Sequence, residues 1–112
     1  MLTISVSSTS FRQDESILVE GRLENRSGQS HYITHWGLFR PHIPGVDFGD
    51  VIAVETVVYF AKDEVIHLSW DFLHGLEQGR HYVAFSSGFL LNHAESDEPI
   101  ELWSNTINLR VR

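Results

Sequence analysis

Hydrophobic and polar residues alternate along most of this chain with a period of two, the spacing of strands rather than helices. In LTISVS, Leu2, Ile4 and Val6 share one face. In SILVEGRLEN, Ile17, Val19 and Leu23 alternate with Leu18, Glu20, Arg22 and Glu24, as in an antiparallel strand with one buried and one solvated side. NRSGQS, Asn25 to Ser30, carries turn chemistry and leads into SHYITHWGLFR, Ser30 to Arg40, expected to be a central strand with Trp36 in the core. PHIPGVDFGD, Pro41 to Asp50, holds two of the three prolines and two glycines and reads as an exposed loop. Val51 to Ala61 and Val65 to Trp70 flank the short turn KDE and are placed to form a hairpin. DFLHGLEQGR is an irregular crossover with room for one helical turn, HYVAFSSGFLLN another strand and HAESDEP an acidic loop. In the closing segment Ile107, Leu109 and Val111 share a face opposite Asn108, Arg110 and Arg112.

Seven or eight short strands, turn signals every ten or so residues and no amphipathic helix predict an all-β fold, an antiparallel Greek-key β-sandwich of immunoglobulin-like type. An open barrel is the alternative. The length of 112 residues suits a single domain over residues 1–112.

Composition narrows the function. Hydrophobic residues make up 42% of the chain and aromatics 12%, which is globular composition. The formal charge of −7 repels phosphate backbones and anionic lipid surfaces, so no nucleic-acid and no membrane partner is expected. The longest mainly apolar run, VIAVETVVYFA, contains Glu55 and falls well short of the roughly 20 residues of a membrane helix. With no cysteine there are no disulfides, thiolate metal sites or thiol nucleophiles. MLTISVSSTSF lacks the basic and continuously apolar regions of a signal peptide, so a soluble cytoplasmic protein is expected, although a mature secreted domain would look the same.

In LEQGRHY, Leu76 precedes Tyr82 by six residues with Gly79 between. This resembles the Leu, Pro-Gly, Tyr pattern before the penultimate strand of fibronectin type III and other immunoglobulin-like domains, with Gln78 where proline is common. The resemblance covers about the last forty residues and implies a fold and a tyrosine corner at Tyr82, but no activity. LVEGRLENRSGQ followed by LEQGRHYVAF also resembles the small immunoglobulin-like intracellular proteinase inhibitors of bacilli, which implies a peptidase as partner.

Candidate chemistry is sparse. His31 and His35 sit four residues apart, which on a strand is roughly 13 Å and too far for one metal ion. A site assembled across strands from His31, His35, His81 or His93 is the metal-binding alternative. No nucleophile elbow, phosphate loop or zinc-protease motif is present, and the pleat splits Ser86 from Ser87. Glu95, Asp97, Glu98 and Glu101 form an acidic cluster without the spacing of a calcium loop, so no cofactor and no catalytic residue is assigned. Asn25-Arg26-Ser27 is formally a glycosylation sequon.

A non-enzymatic protein-binding module is therefore the first expectation, either an accessory domain or a small peptidase inhibitor that acts through its loops. Its expected contact residues are His42, Ile43, Val46 and Phe48 of the Pro41–Asp50 loop, together with Trp103, the tryptophan expected to be exposed; the alternative is that the loop folds back on the core. Carbohydrate binding through exposed tryptophans is the second class. The chain is expected to be a monomer or a weak homodimer paired through an edge strand.

Overall fold

A computed structural model describes residues 1–48, 54–73, 75–93 and 95–112. Among these the structure is all-β, with ten strands and no helix. The strands are β1 (Leu2–Val6), β2 (Ser10–Phe11), β3 (Ser16–Glu24), β4 (His31–His35), β5 (Arg40–His42), β6 (Thr56–Phe60), β7 (Val65–Leu73), β8 (Gly79–Asn92), β9 (Asp97–Trp103) and β10 (Ile107–Val111).

They build two sheets. The smaller has the order β1-β3-β7 and the larger the order β2-β10-β8-β4-β6, with β5 and β9 also paired to β8. All pairs are antiparallel except β2 with β10, which is parallel, so the wholly antiparallel expectation is corrected. The short N-terminal strand leaves the smaller sheet and lies beside the chain's last strand, running the same way.

The strand count exceeds the expected seven or eight because two long strands are interrupted. Thr34 pairs with Leu90 but Arg40 pairs with Ser86, so six residues on one side span four on β8. The surplus is taken up around Gly37, whose φ of 125° is accessible to glycine. Likewise Trp103 pairs with Ser86 and Ile107 with Val83, and Ser104 bridges the break, its N–H and Oγ both bonded to the backbone of Phe85.

One core lies between the sheets. The inward residues of β3, Ile17, Val19 and Leu23, are fully buried, as are Ile33, Val83, Phe85 and Leu109 from the larger sheet. Phe85 stacks on Phe39 at a centroid distance of 3.9 Å, and the edge of Trp70 approaches it at 6.5 Å. Phe39 reaches across to the smaller sheet, where a Cβ on Gly21 would lie 2.6 Å from its ring. Only a residue without a side chain lets the edge of that ring approach β3 so closely.

Two asparagines tie the layers together. Asn105 exchanges hydrogen bonds with the backbone of Ile4, donating to its carbonyl at 3.2 Å and accepting from its N–H at 2.8 Å. The Asn25 amide donates to the carbonyls of Gln29, Phe60 and Ala61 at 2.8–3.1 Å, while its oxygen accepts from the N–H and hydroxyl of Ser27. Asn25 is only 6% exposed, so the nitrogen of the formal sequon is already committed to the fold.

Several local expectations change. The segments flanking KDE do not pair with each other: β6 joins β4 in the larger sheet and β7 joins β3 in the smaller, so the turn crosses between layers at Asp63, whose φ is 62°. Strand β7 continues through Leu73, which shortens the irregular crossover. Strand β9 begins at Asp97, so the last three residues of the expected acidic loop, Asp97 to Pro99, are strand paired with the long β8. The Pro41–Asp50 loop begins as strand β5, and its last two residues lie outside the described ones, as do Val51 to Ala53.

Candidate functional site

The outer face of the larger sheet, turned away from the core, collects the exposed aromatic residues. Because directly opposed residues of neighbouring strands share a face, the pairing registers list it row by row along β8. Arg80 opposes Arg110, and Tyr82 opposes Asn108. Ala84 opposes His42, and Ser86 lies between Arg40 and Trp103. Gly88 opposes Glu101, Leu90 lies between Thr34 and Pro99, and Asn92 between Tyr32 and Asp97. Beyond β4, Val57 and Tyr59 on β6 complete the last two rows.

At the centre of the face His42 leans across β8. Its Nε2 is 2.8 Å from the Ser86 hydroxyl and its ring centroid is 4.5 Å from that of Trp103. Ser86 is buried beneath this cover although its side of the sheet faces outward, whereas Ser87 points into the core. A serine–histidine contact of this length invites comparison with a nucleophile–base pair. Among the described residues no carboxylate orients the other ring nitrogen of His42, which leaves the pair without the third member that holds such a base. At the far end Tyr32 and Tyr59 pair across strands with centroids 5.1 Å apart, 58% and 52% exposed, beside Val57 at 61%.

Of the expected contact residues, His42 and Trp103 lie on this face in mutual contact. They are 61 positions apart in sequence, and β8 brings them together by pairing with both of their strands. Trp103 is 55% exposed. Ile43 is 4% exposed and belongs to the core, and Val46 and Phe48 pack against it part-buried, so the loop folds back. The segment roofs a crevice of about 910 Å³ lined by Trp36, Arg40, Phe48, Trp70 and Tyr82. Replacing Ile43 by serine is accordingly expected to lower stability by about 2–5 kcal/mol in a urea titration, the cost of truncating a buried aliphatic residue.

Trp36, expected in the core, is instead 40% exposed. It has the parity of Tyr32 and Thr34, the outward residues of β4, so continuing that alternation carries it to the outer face, while Phe39 and Phe85 stack in the core. Beside it His35 Nδ1 accepts a hydrogen bond from the Gly37 N–H at 3.1 Å. Burial lowers the His35 pKa below the ordinary 6.5. Below that value the unfolded chain takes up a proton that the folded one resists, so acid works against this contact. Tyr82 stands on the outer face, half exposed, and the buried Leu76 lies three residues before its strand.

The histidines are dispersed over separate partners. His31 and His93 approach with ring centroids 6.4 Å apart, but His31 is hydrogen-bonded to Ser27 and His93 to Glu98. His81 bonds to the Glu77 carbonyl. Among the described residues no group of three or more His, Cys, Asp or Glu side chains stands close enough to hold a metal ion, and no helix is long and apolar enough to cross a membrane.

An all-β chain of two sheets with a contiguous aromatic outer face is the class that these features define. No protein-family model matches the chain, and no curated protein matches its sequence. Among solved structures it is similar to a β-glucosidase from Listeria innocua determined in complex with glucose, at 16% identity and a TM-score of 0.41. The match covers 94% of this chain and 16% of the β-glucosidase, so the chain spans about a sixth of that protein's length.

Proposed function

We propose that this chain is an immunoglobulin-like sandwich module that binds another protein without catalysis, and that the outer face of its larger sheet is the contact surface. The fold part is supported by the strand order, β1-β3-β7 in one layer and β6-β4-β8-β10-β2 in the other, with chain crossings after β1, β2, β3, β6 and β7. The single observation behind the function is the row of exposed aromatic and aliphatic side chains, Tyr32, Tyr59, Val57, Trp36 and Trp103, on one face of a sheet whose other face is the core. Aromatic anchors of this kind supply most of the energy in protein interfaces. A peptidase is the partner class to assay first, because of the resemblance to small proteinase inhibitors. The buried Ile43 favours a face-on contact over insertion of the Pro41–Asp50 loop into a cleft.

The test is the double substitution Tyr32→Ser, Tyr59→Ser. Both residues are exposed, so the melting temperature is expected to stay within a few degrees of wild type. Binding to a cross-linked and purified partner, or inhibition across a peptidase panel, is expected to weaken at least tenfold. Undiminished binding by the folded variant would remove the face from consideration. The exposure of Trp103 favours carbohydrate stacking as a second reading, in which glycans would shift tryptophan emission in the wild type and leave a Trp103→Ala variant unchanged.

A further inference from the structure

The outer face is divided by charge as well as lined by aromatics. Taken in rows along β8, its half from Arg80 to Ser86 carries Arg40, Arg80 and Arg110 and no carboxylate, while its half from Gly88 to Asn92 carries Asp97 and Glu101 and no cation. Among the described residues none of these five takes part in an ion pair. Arg80 and Arg110 even stand directly opposite one another, an arrangement that costs stability in a lone chain. In a protein with only eight basic residues and a net charge of −7, three unpaired arginines on one half-face call for a partner surface.

We infer that the occupant of this face is a second copy of the same chain, packed face to face about a two-fold axis that runs across the strands near Ser86. That operation reverses strand direction and keeps each flank of β8 over the same flank of its mate. The Arg80–Arg110 row and the Asn92–Asp97 row each lie six residues from Ser86, one on either side. The axis therefore sets Arg110 of one copy over Asp97 of the other, twice by symmetry, and brings the two Trp103 side chains together at the centre. Such an interface is isologous, self-complementary by construction. On the opposite flank Arg40 faces its own counterpart, which weakens the association and places it in the micromolar range.

The dimensions suit a dimer. The stretch of β8 from Arg80 to Asn92 and the width of four strands give a patch of about 40 by 20 Å, on the order of 800 Å² per copy, the size of a standard protein interface. This inference rests on the proposed role of the face in protein binding and names its partner. It differs from pairing through an edge strand, which would leave these charges exposed.

Complementary charge swaps test it by analytical ultracentrifugation of the full chain. Wild type is expected to dimerise reversibly at tens to hundreds of micromolar, more tightly at low salt than at high salt. Variant Arg80→Glu/Arg110→Glu and variant Asp97→Lys/Glu101→Lys, all at exposed positions, are each expected to be folded monomers under the same conditions. Mixed in equal amounts they are expected to form a heterodimer. A wild type that stays monomeric, variants that self-associate like wild type, or a mixture that stays monomeric would each overturn the self-association. The tyrosine substitutions above distinguish the two readings, since a monomeric wild type that loses a foreign partner through them keeps the binding face and drops the second copy.

Discussion

Replacing Phe85 by alanine is expected to destabilise the protein by about 3–5 kcal/mol, the largest effect of any single truncation proposed for this chain. The ring is fully buried, stacked on Phe39 at 3.9 Å and met edge-on by Trp70. Removing it leaves a cavity bounded by both sheets, and Phe39 cannot simply slide into it because the same ring already rests over Gly21 on the opposite layer. Against a total stability of roughly 5–15 kcal/mol for a domain this size, the loss brings a substantial unfolded population near body temperature. Urea denaturation followed by tryptophan emission measures it. Leu18→Ser, on the solvent side of β3 between the buried Ile17 and Val19, serves as the control and is expected to change stability by no more than about 0.5 kcal/mol. Equal effects at the two positions would contradict the assignment of Phe85 to the centre of the core.

The second large effect is expected at Asn25, a polar residue in an otherwise unremarked turn. Its amide nitrogen serves three backbone carbonyls, two of them at the end of β6, and its backbone N–H donates to the Glu64 carbonyl. Alanine here is expected to cost about 2–4 kcal/mol, since it leaves the buried Phe60 carbonyl and two part-buried ones without their donor. Aspartate is expected to be worse at neutral pH, because it directs a carboxylate at the same carbonyl oxygens. That surrounding raises the folded-state pKa of the introduced acid above its unfolded value of about 3.9. The extra cost relative to wild type is therefore smallest below the unfolded value and grows as pH rises through the folded one. Paired urea titrations of Asn25→Asp and wild type between acid and neutral pH check the sign; an aspartate penalty that shrinks with rising pH would refute the account of this contact.

Much of the fold can be read from alternation alone. Leu2, Ile4, Ile17, Val19, Leu23, Leu109 and Val111 all point inward as their period-two spacing predicts. The failures share a cause. Trp36 shares the parity of Tyr32 and Thr34, the outward residues of β4, so its face depends on which side of that strand meets the core; the surplus residues around Gly37 come after it, and nothing local in WGLF announces them. Whether a strand bulges depends on the partner beside it, here β8, and on the depth of the ring across from it. The hairpin expected around KDE failed for a related reason. A short turn between two alternating segments serves equally to fold one sheet back on itself or to pass between two sheets, and only the competing partners β3 and β4 decide which.

The candidate site was less legible. Tyr32, Tyr59 and Val57 occupy ordinary strand positions, and their significance comes from lying side by side on a face that no second layer covers. His42 and Trp103 were distinguished by residue type, while their contact and the burial of Ser86 beneath it depend on two distant strands flanking β8. Ile43 looked like a contact residue because it stands in a loop whose apolar side chains are costly to expose unless they pack back or meet a partner; the fold uses it as core.

The amino-acid sequence by itself determined the strand-forming character, the inward set of aliphatic residues, the acidic charge and the absence of thiol chemistry, since each depends on residue type and near-neighbour spacing. The tertiary structure alone decided the parallel pairing of β2 with β10, the burial of Asn25 and Ile43, and the division of one sheet face into arginine and carboxylate halves. These are properties of residues far apart in the chain. Strand pairing is a competition among partners, and its outcome depends on which arrangement packs Phe85, Phe39 and Trp70 into a single core.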